Sequence, residues 1–401
     1  MAVFPRTATA DARRLVAART VRGFADGLVS VTLASYLDGA GYSGLEIGAI
    51  VTATMAGSAA LTLWIGLRGG ASPKAMLLFG TALMGVTGLG FALLSGFWPL
   101  LVVGFIGTMN PSAGDVSLFL PLEQSLLSER VAPEERTALF ARYSLGGNFA
   151  GALGSLAAAL PGPLARALEV ELASVQRGVF LLYGLTALAV LALYRPLRAP
   201  KPITAPGRRL ERSRGTVLRL SALFSLDSFG GGFVVQSLLA LWLFKRYDLS
   251  VEAAGTIFFV TGLLSGLSQL VSPWLAKRIG LVRTMVYTHL PANLALVAAA
   301  FMPNATLAVA FLLVRMALSQ MDVPARQSYV MAVVPPEERA AAASVTNVPR
   351  SLAGAASPLL AGAMLGASTF GWPLVAGGAL KVLYDLLLLG QFGSVHPAEE
   401  V

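Results

Sequence analysis

The chain is dominated by long apolar stretches, which short polar turns separate. Charged residues make up 13% of the chain and the mean hydropathy is +0.70, whereas soluble proteins carry roughly 25% charged residues. A helix of about 20 apolar residues spans a bilayer. The pattern therefore predicts an all-α integral membrane protein with twelve transmembrane helices. The predicted spans are residues 17–38, 43–66, 75–95, 97–127, 137–160, 177–194, 216–244, 250–275, 282–302, 304–332, 340–366 and 369–391.

The residue types that most metal and catalytic sites need are scarce. The chain has no cysteine, and its two histidines are His289 and His396. Disulfides, thiolate metal sites and cysteine nucleophiles are thereby excluded, and a histidine-based metal site is disfavoured. No glycine-rich phosphate loop follows a strand pattern. We expect neither a cofactor nor a metal, and we do not expect an enzyme.

The net charge of +9 is distributed unevenly over the predicted turns. With the N-terminus in the cytoplasm, twenty Lys and Arg residues fall inside and four fall outside. Cytoplasmic loops of membrane proteins carry this excess, so both termini should be cytoplasmic and the charge does not indicate a nucleic-acid partner. The arginine-rich, alanine-rich composition is typical of bacterial genomes with high GC content. We therefore expect a multi-pass protein of the bacterial cell (inner) membrane.

The two halves of the chain are copies of each other. Residues 121–136 (PLEQSLLSERVAPEER) and 324–339 (PARQSYVMAVVPPEER) agree at eight of sixteen positions with an offset of 203. A weaker match with an offset of 205 aligns the first predicted span with the seventh. Six spans per copy is an even number, so the repeats are parallel. The shared Pro-Glu-Glu-Arg turns are interpreted as helix starts with acids in the first turn.

A basic, proline-rich segment separates the copies. The sequence predicts an N-terminal six-helix bundle over 1–194, a cytoplasmic linker over 195–215 and a C-terminal six-helix bundle over 216–401.

Two parallel six-helix repeats joined by such a linker resemble the major facilitator superfamily of secondary transporters. The family's turns between helices 2 and 3 and between helices 8 and 9 read Gly-x-Leu-Ala-Asp-Arg-x-Gly-Arg-Arg. Residues 273–283 (PWLAKRIGLVR) are similar to this motif through Lys277, Arg278, Gly280 and Arg283, whereas residues 66–74 lack its acid. The resemblance implies that helices 1, 4, 5, 7, 10 and 11 are among those lining a central cavity.

Ionisable residues inside the predicted spans are candidates for function, because a charge at membrane depth costs several kcal/mol without a partner or water. Spans 3, 6 and 9 have no interior charge. The candidates for a substrate or proton cavity are Arg22, Asp26, Asp115, Asp227, Arg315, Asp322 and Arg350. The candidates for gates or ion pairs are Glu123, Gln124, Arg326 and Gln327.

Spacing and repeat register suggest how these charges pair. Arg22 and Asp26, and likewise Lys381 and Asp385, are four residues apart and are predicted to pair along one helix face. Glu123 aligns with Arg326, and Arg22 with Asp227, so equivalent positions carry opposite charges.

Two arrangements of the aligned charges remain open. Glu123 and Arg326 pair between the halves in one conformation, or each is fixed within its own half, Glu123 with Arg68 and Arg326 with Asp322.

The residues and the resemblance together predict a secondary active transporter of a small organic solute. We expect coupling to protons, with Asp26, Asp227 or Glu123 as the carrier, and a monomer in the lipid bilayer. The direction of transport stays open. The alternatives are a facilitative uniporter and a transport-inactive sensor or scaffold that keeps the fold.

Overall fold

The computed structural model describes residues 7–67, 72–112, 118–128, 130–132, 135–198, 210–335 and 338–393. These residues contain sixteen α-helices and no β-strand. In the first half of the chain they are α1 Ala10–Gly39, α2 Gly44–Leu67, α3 Pro73–Leu93, α4 Phe97–Ile106, α5 Phe119–Ser128, α6 Arg136–Ala157, α7 Pro161–Ala167 and α8 Leu172–Tyr194. In the second half they are α9 Arg214–Gly232, α10 Gln236–Tyr247, α11 Val251–Ile279, α12 Leu281–Ala300, α13 Ala305–Ser319, α14 Asp322–Ala332, α15 Arg339–Ala367 and α16 Trp372–Phe392.

Each predicted span overlaps one of these helices or a consecutive pair of them. The fourth, seventh and tenth spans are each divided, into α4 and α5, α9 and α10, and α13 and α14. The short helix α7 lies in a segment predicted as a turn. By length and composition alone, seven helical segments of the described chain can cross a membrane. They are Gly44–Trp64, Pro73–Leu93, Leu172–Tyr194, Arg214–Tyr247, Val251–Ile279, Ala305–Ala332 and Trp372–Phe392.

The chain forms two compact units. The first falls within Met1–Thr204 and Ser250–Phe259, and the second within Ala205–Leu249 and Val260–Val401. In the first unit, apolar side chains of α1, α3, α5, α6 and α8 form one buried cluster around Leu15 and Leu122. In the second unit, side chains of α9, α12, α14, α15 and α16 form a second cluster around Val217 and Tyr329.

Glycines set the closest helix contacts in both units. A Cβ on Gly27 of α1 would overlap the carbonyl oxygen of Gly151 on α6, and a Cβ on Gly232 of α9 would overlap that of Gly354 on α15. Gly27 and Gly232 are 205 residues apart, and Gly151 and Gly354 are 203 apart. The repeat seen in the sequence thus recurs as the same glycine contact, which lets the backbones approach closely.

The Pro-Glu-Glu-Arg turns do more than start a helix. The side chain of Glu338 does not cap its own helix, α15. Its carboxylate accepts hydrogen bonds from the N–H groups of Arg212 at 3.0 Å and Ser213 at 3.1 Å, and from the Ser213 hydroxyl. Glu338 therefore holds the residues that lead directly into α9, the first helix of the second half.

The equivalent acid in the first half behaves in the same way. The carboxylate of Glu135 accepts hydrogen bonds from the N–H of Thr7 at 2.9 Å and from its hydroxyl at 2.5 Å. Thr7 lies just before α1. Each turn thus fastens the start of the first helix of its half.

Candidate functional site

The first unit contains a buried ion pair. The guanidinium of Arg22 on α1 donates a hydrogen bond to the Glu123 carboxylate on α5. Two phenols donate to the same carboxylate, that of Tyr143 on α6 at 2.6 Å and that of Tyr194 on α8 at 2.5 Å. Glu123 is fully buried and Arg22 is 2% exposed. Side chains of three other helices therefore converge on one carboxylate of α5.

The surroundings of Arg22 explain why its charge is tolerated there. Its guanidinium carbon lies 4.0 Å from the centre of the Phe119 ring, a distance at which a ring face attracts a cation. Glu123 receives three donors, which offsets the cost of removing its charge from water. Arg22 and Glu123 thus form a buried ion pair that two phenols and an aromatic ring stabilise.

The predicted pairing of Arg22 with Asp26 is wrong. Arg22 is hydrogen-bonded to Glu123 instead, because the carboxylate on α5 comes with two phenol donors and an aromatic face beside it. Asp26 is 6% exposed. Within the described ranges, its carboxylate has no hydrogen bond and no ion pair. The candidate Asp115 and the expected Glu123 partner Arg68 lie outside the described residues.

The second unit contains a larger cluster around Asp227 of α9. One carboxylate oxygen accepts a hydrogen bond from Lys381 of α16 at 2.6 Å, and the other from Arg326 of α14 at 3.3 Å. Arg326 also contacts Asp322, one helical turn before it, at 3.2 Å. All four side chains are less than a tenth exposed. The cluster thus places two cations on Asp227 and two acids on Arg326.

A histidine connects this cluster to a further acid. His289 of α12 has its Nδ1 atom 2.8 Å from Oδ1 of Asp385 on α16, and its Nε2 atom 3.7 Å from Oδ1 of Asp227. Asn293 donates to the other Asp385 oxygen at 2.8 Å. Helix α12 is the predicted ninth span, so the expectation that this span contributes no interior charge misses a titratable group.

The predicted neutralisation of Lys381 by Asp385 is also wrong. Lys381 pairs with Asp227, and Asp385 is held by His289 and Asn293. The partners that neutralise Lys381 and Asp385 thus come from α9 and α12 and not from the same helix. The sequence did contain a sign of this cluster. Two otherwise apolar helices each carry a polar pair four residues apart, His289 with Asn293 and Lys381 with Asp385.

The two clusters are related by the repeat. Arg22 and Asp227 are 205 residues apart, and Glu123 and Arg326 are 203 apart, so each unit pairs the same two positions with the charges exchanged. The arrangement in which Arg326 contacts Asp322 within its own half is observed. Pairing of Glu123 with Arg326 between the halves stays a prediction for another conformation.

The remaining candidates lie outside these clusters. Arg315 of α13 is half-buried and donates to the sulfur of Met316 at 3.1 Å, while its Nε atom is buried without a hydrogen-bond partner in the described chain. Arg350 of α15 is also half-buried. Gln124 is half-buried and Gln327 is exposed.

The turn between α11 and α12 has the geometry that its motif requires. Gly280 has a φ of 85°, a conformation that side chains other than glycine adopt rarely. The guanidinium of Arg278 lies 4.1 Å from the centre of the Trp274 ring. Lys277 and Arg283 are exposed. Among the residues that the structure describes, no group of three or more His, Cys, Asp and Glu could hold a metal ion.

Residues 15–358 match the model of the Major Facilitator Superfamily. The chain belongs to this family. Membership confirms the resemblance found in the sequence, and it agrees with a fold built only of helices over the described ranges. The major facilitator fold and its transporter neighbours indicate a membrane transporter and not an enzyme.

Solved structures of the family have the same fold. The xylose transporter XylE from E. coli superposes with a TM-score of 0.75 at 14% identity, over 97% of this chain and 98% of that one. The nucleoside transporter NupG superposes with a TM-score of 0.72 at 14% identity, over 96% and 99% of the two chains. A bacterial homologue of the human lysosomal transporter Spinster gives a TM-score of 0.68 at 15% identity, over 95% of each chain.

A relative of similar length exists in yeast. It is an uncharacterized membrane protein of Saccharomyces cerevisiae, 24% identical over 96% of this chain and 95% of its own length. The similarity therefore covers both halves of the chain.

Proposed function

We propose that this protein is a secondary active transporter that moves a small polar organic solute by alternating access and is coupled to protons. The observation that carries the proposal is the buried ion pair at equivalent positions of the two units, Arg22 with Glu123 and Asp227 with Arg326. Buried charges are costly in a membrane and mark ion or substrate pathways. Each of the two parallel repeats contains one such buried ion pair, which is consistent with a transport cycle in which both halves take part.

Protons are the proposed driving ion because the two units contain buried acids that can each bind and release a proton. Asp26 has no hydrogen bond or ion pair within the described ranges, so it is the first candidate for a proton carrier. Asp227 is the second, since protonation would release Lys381 and Arg326 from it. Glu123 is the third, and its three donors favour a latch that holds α1 to α5 and α6.

The polar nature of the solute is proposed from the charges and from the named structural neighbours. Arg315 and Arg350 are half-buried cations on α13 and α15 that an anionic group of the solute can contact. Structural neighbours include transporters of nucleosides and of xylose, the latter described as a proton symporter. We further propose that the protein is a monomer in a bacterial inner membrane with both termini in the cytoplasm.

The test is transport by the purified protein in proteoliposomes. A panel of labelled nucleosides, sugars and organic acids is presented with and without an imposed pH gradient. Accumulation above the external concentration only when the gradient is present is the expected result. Equilibration that the gradient leaves unchanged would instead identify a uniporter, and binding without any flux would identify a sensor.

The variant Asp26→Asn tests the first proton carrier. It should lose accumulation but keep solute exchange, because exchange needs no net proton movement. Glu171→Gln, which changes an exposed acid at the start of α8, is the matched control and should accumulate solute normally. Full accumulation by Asp26→Asn would assign the proton to another acid.

A further inference from the structure

His289 is enclosed by two carboxylates in the second unit. Its Nδ1 atom lies 2.8 Å from Asp385 of α16 and its Nε2 atom 3.7 Å from Asp227 of α9. The imidazole is 4% exposed. Both ring nitrogens therefore face carboxylate oxygens in a place that water hardly reaches.

Hydrogen counting shows what this geometry favours. A neutral imidazole has one N–H group and one lone pair, whereas an imidazolium has two N–H groups. The 2.8 Å separation from Asp385 needs one hydrogen between the two atoms, since two lone pairs at that distance would repel, and this hydrogen is on Nδ1 when Asp385 is ionised. The amide nitrogen of Asn293 donates to the other Asp385 oxygen at 2.8 Å and lies 3.1 Å from Nδ1. The Nε2 atom is then the position where a second hydrogen is gained or lost.

Among the described residues, the ion pairs of the cluster leave one carboxylate, that of Asp385, without a cation unless His289 is protonated. Three carboxylates belong to the cluster, those of Asp227, Asp322 and Asp385, and two cations pair with them. The cations are Arg326 on α14 and Lys381 on α16. Arg315 of α13 adds positive charge at longer range and makes no ion pair in the described chain. The nearest ring is that of Tyr384, edge-on at 5.9 Å. An imidazolium at His289 supplies the third paired cation.

We propose that His289, bridging Asp227 and Asp385, is a proton-binding site of this protein. A proton from water forms an N–H bond at Nε2 and adds one positive charge, and release returns the proton to water. The Asp227 oxygen that this N–H faces also accepts from Lys381 at 2.6 Å. One oxygen of Asp227 therefore faces both the proton site and the lysine that joins α9 to α16. The role of this proton site in transport rests on the proposed proton coupling, whereas proton binding itself is measured without transport.

Nuclear magnetic resonance of labelled histidine tests the proposal on the full chain in lipid nanodiscs. The chain has two histidines, so His396→Gln leaves the His289 ring as the only signal. With ¹⁵N in the ring, protonated and unprotonated nitrogens are resolved at each pH. We expect an imidazolium that changes to the Nδ1–H tautomer as the pH is raised. A single neutral tautomer from about pH 5 to 9 would overturn the proposal.

A second variant separates proton binding at this site from an ordinary histidine titration. Asp385→Asn keeps the shape of the side chain but removes one of the two carboxylates. The ratio of imidazolium to neutral imidazole at a fixed pH should fall several-fold, because one of the two carboxylates that attract the charged ring is gone. Glu171→Gln should leave the ratio unchanged. An unchanged ratio in Asp385→Asn would contradict the bridging role.

The proposed function and the proposed proton site are refuted by different results. Transport that ignores the pH gradient refutes proton coupling even if His289 titrates as expected. A His289 ring that never binds a proton refutes this site even if transport is driven by protons.

Discussion

Arg22 and Glu123 form a buried ion pair in the first unit, at the two positions that Asp227 and Arg326 occupy in the second with the charges exchanged. The pairing is thus common to both repeats, whereas the sign of the charge at each position is not. Exchanging the two charges leaves their attraction unchanged, because at a given distance the Coulomb energy depends only on the product of the charges. The contact between the first and fourth spans of each half is therefore the repeated feature.

Breaking the first of these pairs should be costly. Glu123→Gln leaves the guanidinium of Arg22 buried without its counter-charge, and we expect a loss of about 3–5 kcal/mol of stability. The measurement is the unfolding temperature in detergent. The double variant Arg22→Met with Glu123→Leu should recover part of the loss, because neither member of the pair is then left as a buried charge without its partner. Gln124→Ala, on the neighbouring half-buried side chain, serves as the control. Losses that simply add in the double variant would show that the two side chains are not coupled.

Much of the fold follows from local sequence patterns. A run of about 20 apolar residues predicts a span wherever it occurs, so each predicted range overlaps a helix in the described chain. The repeat was visible because identical residues recur at a fixed offset. The breaks within spans were missed, as between α9 and α10 after Gly230-Gly231-Gly232, because an apolar run gives no sign of a local change of direction.

The pairing of charges could be predicted only in part. Spacing correctly pairs Arg326 with Asp322 on one helix, but it also pairs Lys381 with Asp385, where partners from α9 and α12 take their place. Such partners depend on which helix faces meet, and this information is not contained in the spacing along one helix. The tyrosines on Glu123 were missed for the same reason, since they come from α6 and α8.

Gly27 and Gly151 offer a matched test of close packing between α1 and α6. A Cβ on Gly27 would overlap the backbone of Gly151, whereas a Cβ on Gly151 would lie at an ordinary 3.4 Å from the carbonyl oxygen of Gly23. We expect Gly27→Ala to destabilise the protein by about 1–3 kcal/mol, the usual range for an overpacked contact. Gly151→Ala should be nearly neutral. Equal unfolding temperatures for the two variants would contradict this asymmetry.

The contact of Glu338 with the residues before α9 should depend on pH. Hydrogen bonds from the Ser213 hydroxyl and from the N–H groups of Arg212 and its neighbours lower the pKa of Glu338 to about 2, from an ordinary value near about 4.3. Since the folded pKa is depressed, the contribution to stability is present above about pH 4.3 and is lost as the pH falls toward 2. The measurement is the difference in unfolding temperature between the wild type and Glu338→Gln.

That difference should shrink as the pH falls from 6 to 3, because the wild type then loses the charge that the variant lacks. Glu171→Gln, which changes a side chain that makes no cap hydrogen bond, should show no comparable change. A difference that stays constant over this range would mean that the charge of Glu338 does not hold α9.

The predicted orientation can be tested with single cysteines, because the chain has none of its own. Arg212, before α9, and Thr369, between α15 and α16, are both exposed. In intact cells, Arg212→Cys should be protected from a membrane-impermeant thiol reagent, and Thr369→Cys should react. Opening the cells should make both sites reactive, which controls for local accessibility. Labelling of Arg212→Cys from outside would reverse the topology deduced from the charge count.

Asp227 should be required for coupling more than for holding the helices together. Asp227→Asn removes the titratable group but leaves Lys381 and Arg326 as buried cations with one acid fewer, so we expect both a lower unfolding temperature and a loss of accumulation driven by a pH gradient. The double variant Asp227→Asn with Lys381→Met removes the surplus cation. It should recover most of the unfolding temperature, because the charge count is restored, yet it should still fail to accumulate solute, because no proton exchanges at position 227. Measuring solute exchange in the same proteoliposomes shows that the double variant is folded and that its transport path is open. Accumulation restored together with stability would mean that Asp227 acts only as a structural counter-charge, and the proton would then be carried elsewhere.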